Sequence, residues 1–147
     1  MIRNEIHTVI DACVDKVWEF LSNPENMTQI GRSNVKVEYT RPIGVGSTIA
    51  VTTRLMGKRT IRGTFTEWEP GHKFVMQSKS MGSNIKEVWL LEQVEGTKTK
   101  LTKSQQVQVG GIMRLFQWYL SSKTKEINSA QFAKIKQIIE AKNASVV

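Results

Sequence analysis

Few side chains in this sequence can carry acid–base, nucleophilic or metal chemistry. There are two histidines, His7 and His72, and one cysteine, Cys13. A Ser/His/Asp hydrolase needs a histidine beside its nucleophile inside the fold. His7 has the strand parity opposite to Ile2, Ile6 and Ile10, which sends it outward, and His72 follows the Pro70-Gly71 turn. Both are expected to be surface or turn residues. Zinc and iron sites need several such ligands converging, and neither an H-E-x-x-H spacing nor a glycine-rich phosphate loop occurs. No metal, no cofactor and no catalytic residue is therefore assigned. What remains is a carboxylate or a tyrosine. Glu87 shares parity with Trp89 and Leu91, so its side chain is expected to point inward. A buried carboxylate without a partner has a raised pKa, as a general acid or base requires. The preferred reading is an ion pair with Arg54 or Arg62, or a place at the open end of the sheet.

Tyr119 belongs to an apolar helical stripe; its hydroxyl is a candidate ligand contact, with core packing as the preferred reading. Met56, Met76, Met81 and Met113, with Phe65, Trp89 and Phe116, form a candidate pocket lining, since methionine fills irregular apolar space. The candidate ligand-binding set is Thr53, Phe65, Met76, Ser78, Glu87, Trp89, Phe116, Tyr119 and Leu120.

The elements that must position these residues are legible in the periodicity. Ile2, Ile6 and Ile10 alternate with polar residues as a strand with one buried face does. Val14, Val17, Trp18 and Leu21 then follow helical spacing, and Ser22-Asn23-Pro24 predicts a second short helix from Glu25 to about Ile30. Six alternating segments follow, broken at Pro42 and Gly44, Gly57, Pro70-Gly71, Gly82, Gly96 and Gly110-Gly111. Breakers at that interval, with no helix between them, predict an antiparallel meander. Apolar residues at helical spacing then predict one long helix over residues 112–141, with Asn143 to Val147 as a loose tail. The fold class is α+β: seven curved antiparallel strands wrapped around a long C-terminal helix, with two short helices after the first strand. Small or polar inward residues, Thr53, Gly63 and Ser78, leave space between sheet and helix, so a cavity is expected.

The chain has 147 residues, 39% of them hydrophobic, which suits one domain covering 1–147. One cysteine cannot form an intramolecular disulfide. Residues 1–10 lack the apolar core of a signal peptide, and no apolar run is long enough to span a bilayer. A cytoplasmic protein without integral membrane association is expected. The net charge is +8, but the cations are scattered. Lys58, Arg59 and Arg62 lie near one turn and Lys98, Lys100 and Lys103 near another, which reads as solvated surface rather than a nucleic-acid interface.

Several motifs carry a family resemblance: Val17-Trp18, Leu21 and Asn23-Pro24-Glu25, then Val45-Gly46, then Phe65-Thr66-Glu67-Trp68-Glu69-Pro70, then Trp89-x-Leu91 and the Gly96 to Leu101 segment. In this order they resemble the START-like (SRPBCC) superfamily of polyketide cyclase/dehydrase-like, lipid-transfer and ubiquinone-binding proteins. The chain departs from the family pattern at Cys13, often proline, and near Ile30, often tryptophan. The resemblance implies a helix-grip fold and a pocket for a small hydrophobic ligand such as a lipid, isoprenoid, quinone or polyketide-like aromatic. A polyketide cyclase or dehydratase using Glu87 or Tyr119 is the enzymatic alternative, ranked below binding. A protein-interaction module of the chaperone-activator or toxin-like type, or a homodimer, is a further alternative.

Overall fold

The computed structural model describes residues 2–26, 36–40, 43–53, 59–80, 82–110, 115 and 117–145. In chain order the elements are β1 (Ile2–Ile10), α1 (Val14–Leu21), a single 3-10 turn (Pro24–Asn26), β2 (Lys36–Tyr39), β3 (Thr48–Thr53), β4 (Arg59–Glu69), β5 (Lys73–Ser80), β6 (Ser83–Val94), β7 (Lys98–Gln108) and α2 (Gln117–Ser145). The strands form one curved antiparallel sheet in the order β1-β7-β6-β5-β4-β3-β2. The first strand thus pairs with the last, from Ile2 opposite Val107 to Ile10 opposite Thr99. This is the expected α+β helix-grip arrangement.

Turn chemistry sets the meander. At the β4–β5 connection Glu69 accepts the His72 backbone N–H at 3.0 Å, and Gly71 sits between them at φ +77°. A side chain would be strained in that conformation, which is why glycine follows Pro70 in a type II turn. On the same strand pair the register shifts between Phe65 and Glu67. This bulge inverts the alternation, so Phe65 and Trp68, three apart, both face inward opposite Met76 and Phe74. Trp18 on α1 meets the Trp68 ring at 5.1 Å and the Phe74 ring at 5.9 Å, edge-on. The core continues through Trp89 to Phe132 of α2, ring centroids 5.6 Å apart.

The expected second short helix opens as a 3-10 turn over Pro24–Asn26, and residues 27–30 lie outside the described residues. Two expectations about the long helix are corrected. The long helix is described from Gln117, and it runs through Ser145 rather than fraying after 142. Its end is held because the Asn143 side chain donates to the Asp11 carbonyl at 2.9 Å and accepts from Lys16 at 2.8 Å. The helix is also rotated relative to the expected stripe. Its buried line is Asn128, Phe132, Ile135 and Ile139, whereas Ile127 is half exposed. An asparagine on the core line hid the true face from hydrophobic periodicity.

No helix among the described residues is long and apolar enough to cross a membrane.

Candidate functional site

The inner face of the sheet is built of cross-strand rows. One row runs Ile49, Gly63, Ser78, Ile85, Val107, Ile2 across six strands. Its middle is built of small residues, Gly63 and Ser78, and Met76 packs close over the glycine. A Cβ on Gly63 would stand 3.2 Å from both Met76 Cγ and Ser78 Cβ. The next row is Phe65, Met76, Glu87, Gln105, Asn4, apolar at one end and polar at the other. The third is Trp68, Phe74, Trp89, Lys103, Ile6.

Where these rows pass under α2, a polar network is buried. Lys103 is 4% exposed. Its ammonium donates to Asn128 Oδ1 at 2.9 Å and Gln131 Oε1 at 3.1 Å, and stands 3.4 Å from Glu87 Oε1. The ammonium thus makes two hydrogen bonds to α2 and one ion pair to β6. The same ammonium lies 5.0 Å over the Trp89 ring. Gln105 donates to Glu87 Oε1 at 3.2 Å and accepts from Asn128 Nδ2 at 2.9 Å, while Trp89 Nε1 reaches Glu87 Oε2 at 3.4 Å. Burying a lysine and a glutamate costs several kcal/mol per ion unless each is paired and hydrogen-bonded, and here each is.

The expected site residues divide as follows. Phe65, Ser78 and Trp89 are buried on the inner face, with Met76 partly buried beside them and Glu87 next to Met76. Glu87 points inward as its parity predicts. Its partner is Lys103, not Arg54 or Arg62: Arg62 is exposed on the outer face, and Arg54 lies outside the described residues. Thr53 ends β3 opposite Arg59, and Leu120 lies in α2; their side chains, and Phe116, Met56, Met81 and Met113 altogether, lie outside what is described. Tyr119 is 48% exposed, with the Lys123 ammonium 6.0 Å from its ring. It stands nine residues before Asn128, half a turn around the helix at about 100° per residue, and so faces away from the buried line.

Lys103, Gln105, Asn128 and Asn4 were missed. A signal existed for the strand residues. Lys103 and Gln105 continue the parity of Thr99 and Leu101, both fully buried, and Asn4 lies between the inward Ile2 and Ile6. Grouping Lys103 with Lys98 and Lys100 as surface charge overrode that alternation.

His7 and His72 are both exposed, and among the described residues no three His, Cys, Asp or Glu side chains gather as metal ligands. A groove of about 680 Å³ lies on the outer face, where Arg62, Lys79 and Lys86 line it with Thr64, Gln77 and Gln106. Ser78 and Ile85 of the first inner row also border it, and it shares no residue with the buried network around Lys103.

The fold is similar to that of several solved structures. The Zhui aromatase/cyclase from Streptomyces sp. R1128 superposes with a TM-score of 0.76 at 14% identity, covering 94% of this chain and 93% of that one. The di-domain aromatase/cyclase BexL gives 0.78 at 15% identity over 95% of this chain and 47% of its own. A protein from Arthrobacter aurescens gives 0.77 at 16% identity over 95% and 87%. No curated protein matches the sequence. The profile of one family, described as polyketide cyclase/dehydrase and lipid transport, matches residues 1–140. The order of strands and helices, the long helix on the inner face and this match agree, and the chain belongs to the polyketide cyclase/dehydrase and lipid transport family.

Proposed function

We propose that the protein binds a small hydrophobic molecule between the inner face of the sheet and α2. The ligand's apolar body lies over Gly63, Ser78, Met76 and Phe65, and its polar end turns toward Glu87 and Gln105. Ligand sites of this kind are mostly apolar with a few placed polar groups. The observation that carries the reading is the graded row Phe65, Met76, Glu87, Gln105, Asn4, which offers both characters side by side under one helix. Lipids, isoprenoids, quinones and polyketide-like aromatics share the matching shape, and family membership supports the same class. The cytoplasm is the proposed compartment, in keeping with a free thiol at Cys13.

A cyclase or dehydratase would use Glu87 or Tyr119 as its acid or base, and Tyr119, 48% exposed, faces away from the buried line. The Lys103 ammonium holds that carboxylate in a charge pair, an arrangement that positions a polar group better than it moves a proton. Binding is thus the preferred activity.

Native mass spectrometry of the purified protein is expected to find a co-purifying small molecule. Ser78→Trp, which puts a large ring into the inner row beside Gly63 and Met76, is expected to abolish binding of an apolar fluorescent probe while circular dichroism stays unchanged. Probe binding retained in that folded variant would overturn the interior site.

A further inference from the structure

Asn4 lies on β1 directly opposite Gln105, with its side chain on the inner face and 8% of its surface exposed. Among the described residues neither its Nδ2 nor its Oδ1 has a hydrogen-bond partner. The neighbouring groups are already engaged. Gln105 uses its oxygen on Asn128 and its nitrogen on Glu87, and Lys103 is shared among Asn128, Gln131 and Glu87. Buried amides in folded proteins are almost always satisfied, and one that is not costs about 1–3 kcal/mol. Leucine has the same branched arrangement of side-chain heavy atoms and would avoid that cost. An unpartnered amide at the polar end of the graded row is therefore a group held ready for something not part of the chain.

We infer that Asn4 is the polar anchor of the interior site, and that the ligand presents to it an uncharged head with a donor and an acceptor side by side. A carboxamide, an un-ionised carboxyl and a hydroxyl next to a carbonyl all share that chemistry. The head is uncharged because the charges around it already balance, Lys103 against Glu87. A further anion there would be desolvated without a counter-charge. This inference rests on the interior-binding reading and extends it to the class of ligand head.

Three naphthalene probes of similar size separate the outcomes: 2-naphthamide, 2-isopropylnaphthalene and 2-naphthoate, each measured by equilibrium dialysis. The wild-type protein is expected to prefer the amide over the isopropyl compound by roughly tenfold, the value of two neutral hydrogen bonds. Naphthoate should bind more weakly than the amide. Asn4→Leu and Asn4→Ala should each lose the preference and keep the isopropyl compound, and Asn84→Leu, on the outer face, should change nothing. Without ligand, Asn4→Leu should melt about 3 °C above the wild type.

Equal binding of amide and isopropyl probes by the wild type would overturn the anchor and leave the interior site standing. Tighter binding of naphthoate than of the amide would overturn the uncharged head. A lower melting point for ligand-free Asn4→Leu would show that the amide is satisfied within the folded chain, overturning the anchor. Binding of none of the probes would remove the interior reading and this inference together.

Discussion

The Lys103 ammonium and the Glu87 carboxylate show how much a single buried side chain can depend on its partners. Lys103 is 4% exposed and the Glu87 side chain 14%, so solvent screens neither well. Removing one member leaves the other charge buried and uncompensated, a loss of about 3 kcal/mol for such pairs. Lys103→Met is therefore expected to lower the unfolding free energy, measured by urea denaturation, by that amount. Replacing both, as Glu87→Leu with Lys103→Met, should restore most of it, because the desolvation cost of both ions disappears together. A loss well under 1 kcal/mol in the single variant would mean that water reaches the pair. Restored stability combined with lost ligand binding would separate the pair's functional role from its structural one.

At the scale of elements, the lower end of α2 is tied to the segment joining β1 to α1. Glu140 accepts the Asp11 backbone N–H at 3.0 Å and the Lys136 ammonium at 2.9 Å, and Lys136 also donates to the Val9 carbonyl at 2.6 Å. The hydrogen bond from Lys136, then that from the Asp11 backbone, holds the Glu140 carboxyl below its ordinary value of 4.5. A depressed carboxylate pKa favours the folded state above the unfolded value, and the contribution is lost as pH falls through the folded pKa. Glu140→Gln is thus expected to melt below the wild type at pH 7. The gap should be constant down to about the ordinary carboxylate value of 4.5 and close as pH falls further. Melting curves from pH 7 to strongly acid solution check this, and a gap that does not change with pH would show that Glu140 acts without its charge. Its side chain is 31% exposed, so the effect should shrink in high salt.

For the whole molecule, pairing β1 with β7 places the first and last strands of the sheet together, and α2 covers both. A ligand lodged between sheet and helix touches residues far apart in sequence, from Phe65 to Gln105, so it binds the folded chain and not the unfolded one. Mass action then stabilises the fold by about 2.7 kcal/mol at a hundred times the dissociation constant. Calorimetry with 2-naphthamide is expected to show a melting temperature that climbs with probe concentration along that logarithm. Ser78→Trp should show no such climb. An equal rise in that variant would indicate binding away from the inner face.

Sequence alone determined the order of the elements, the antiparallel meander, the inward parity of Glu87 and Trp89 and the outward parity of His7. Each of these follows from local physics: side chains alternate across a strand, and breakers such as Pro70-Gly71 turn the chain wherever they stand. Tertiary structure alone decided what Glu87 meets. Its partner depends on the β6–β7 register, which sets Lys103 opposite Trp89 and beside Gln105, and on the rotation of α2, which brings Asn128 over both. Hydrophobic spacing pointed Tyr119 inward and passed over Asn128, because it scores a buried asparagine as surface. Once Lys103 is inside, its ammonium needs acceptors from the helix, and the energetic demand of that buried charge outweighs the apolar count of the stripe. Asn4 was hidden for a related reason: a polar residue on an inward parity stands out only when the groups around it are seen to be already paired.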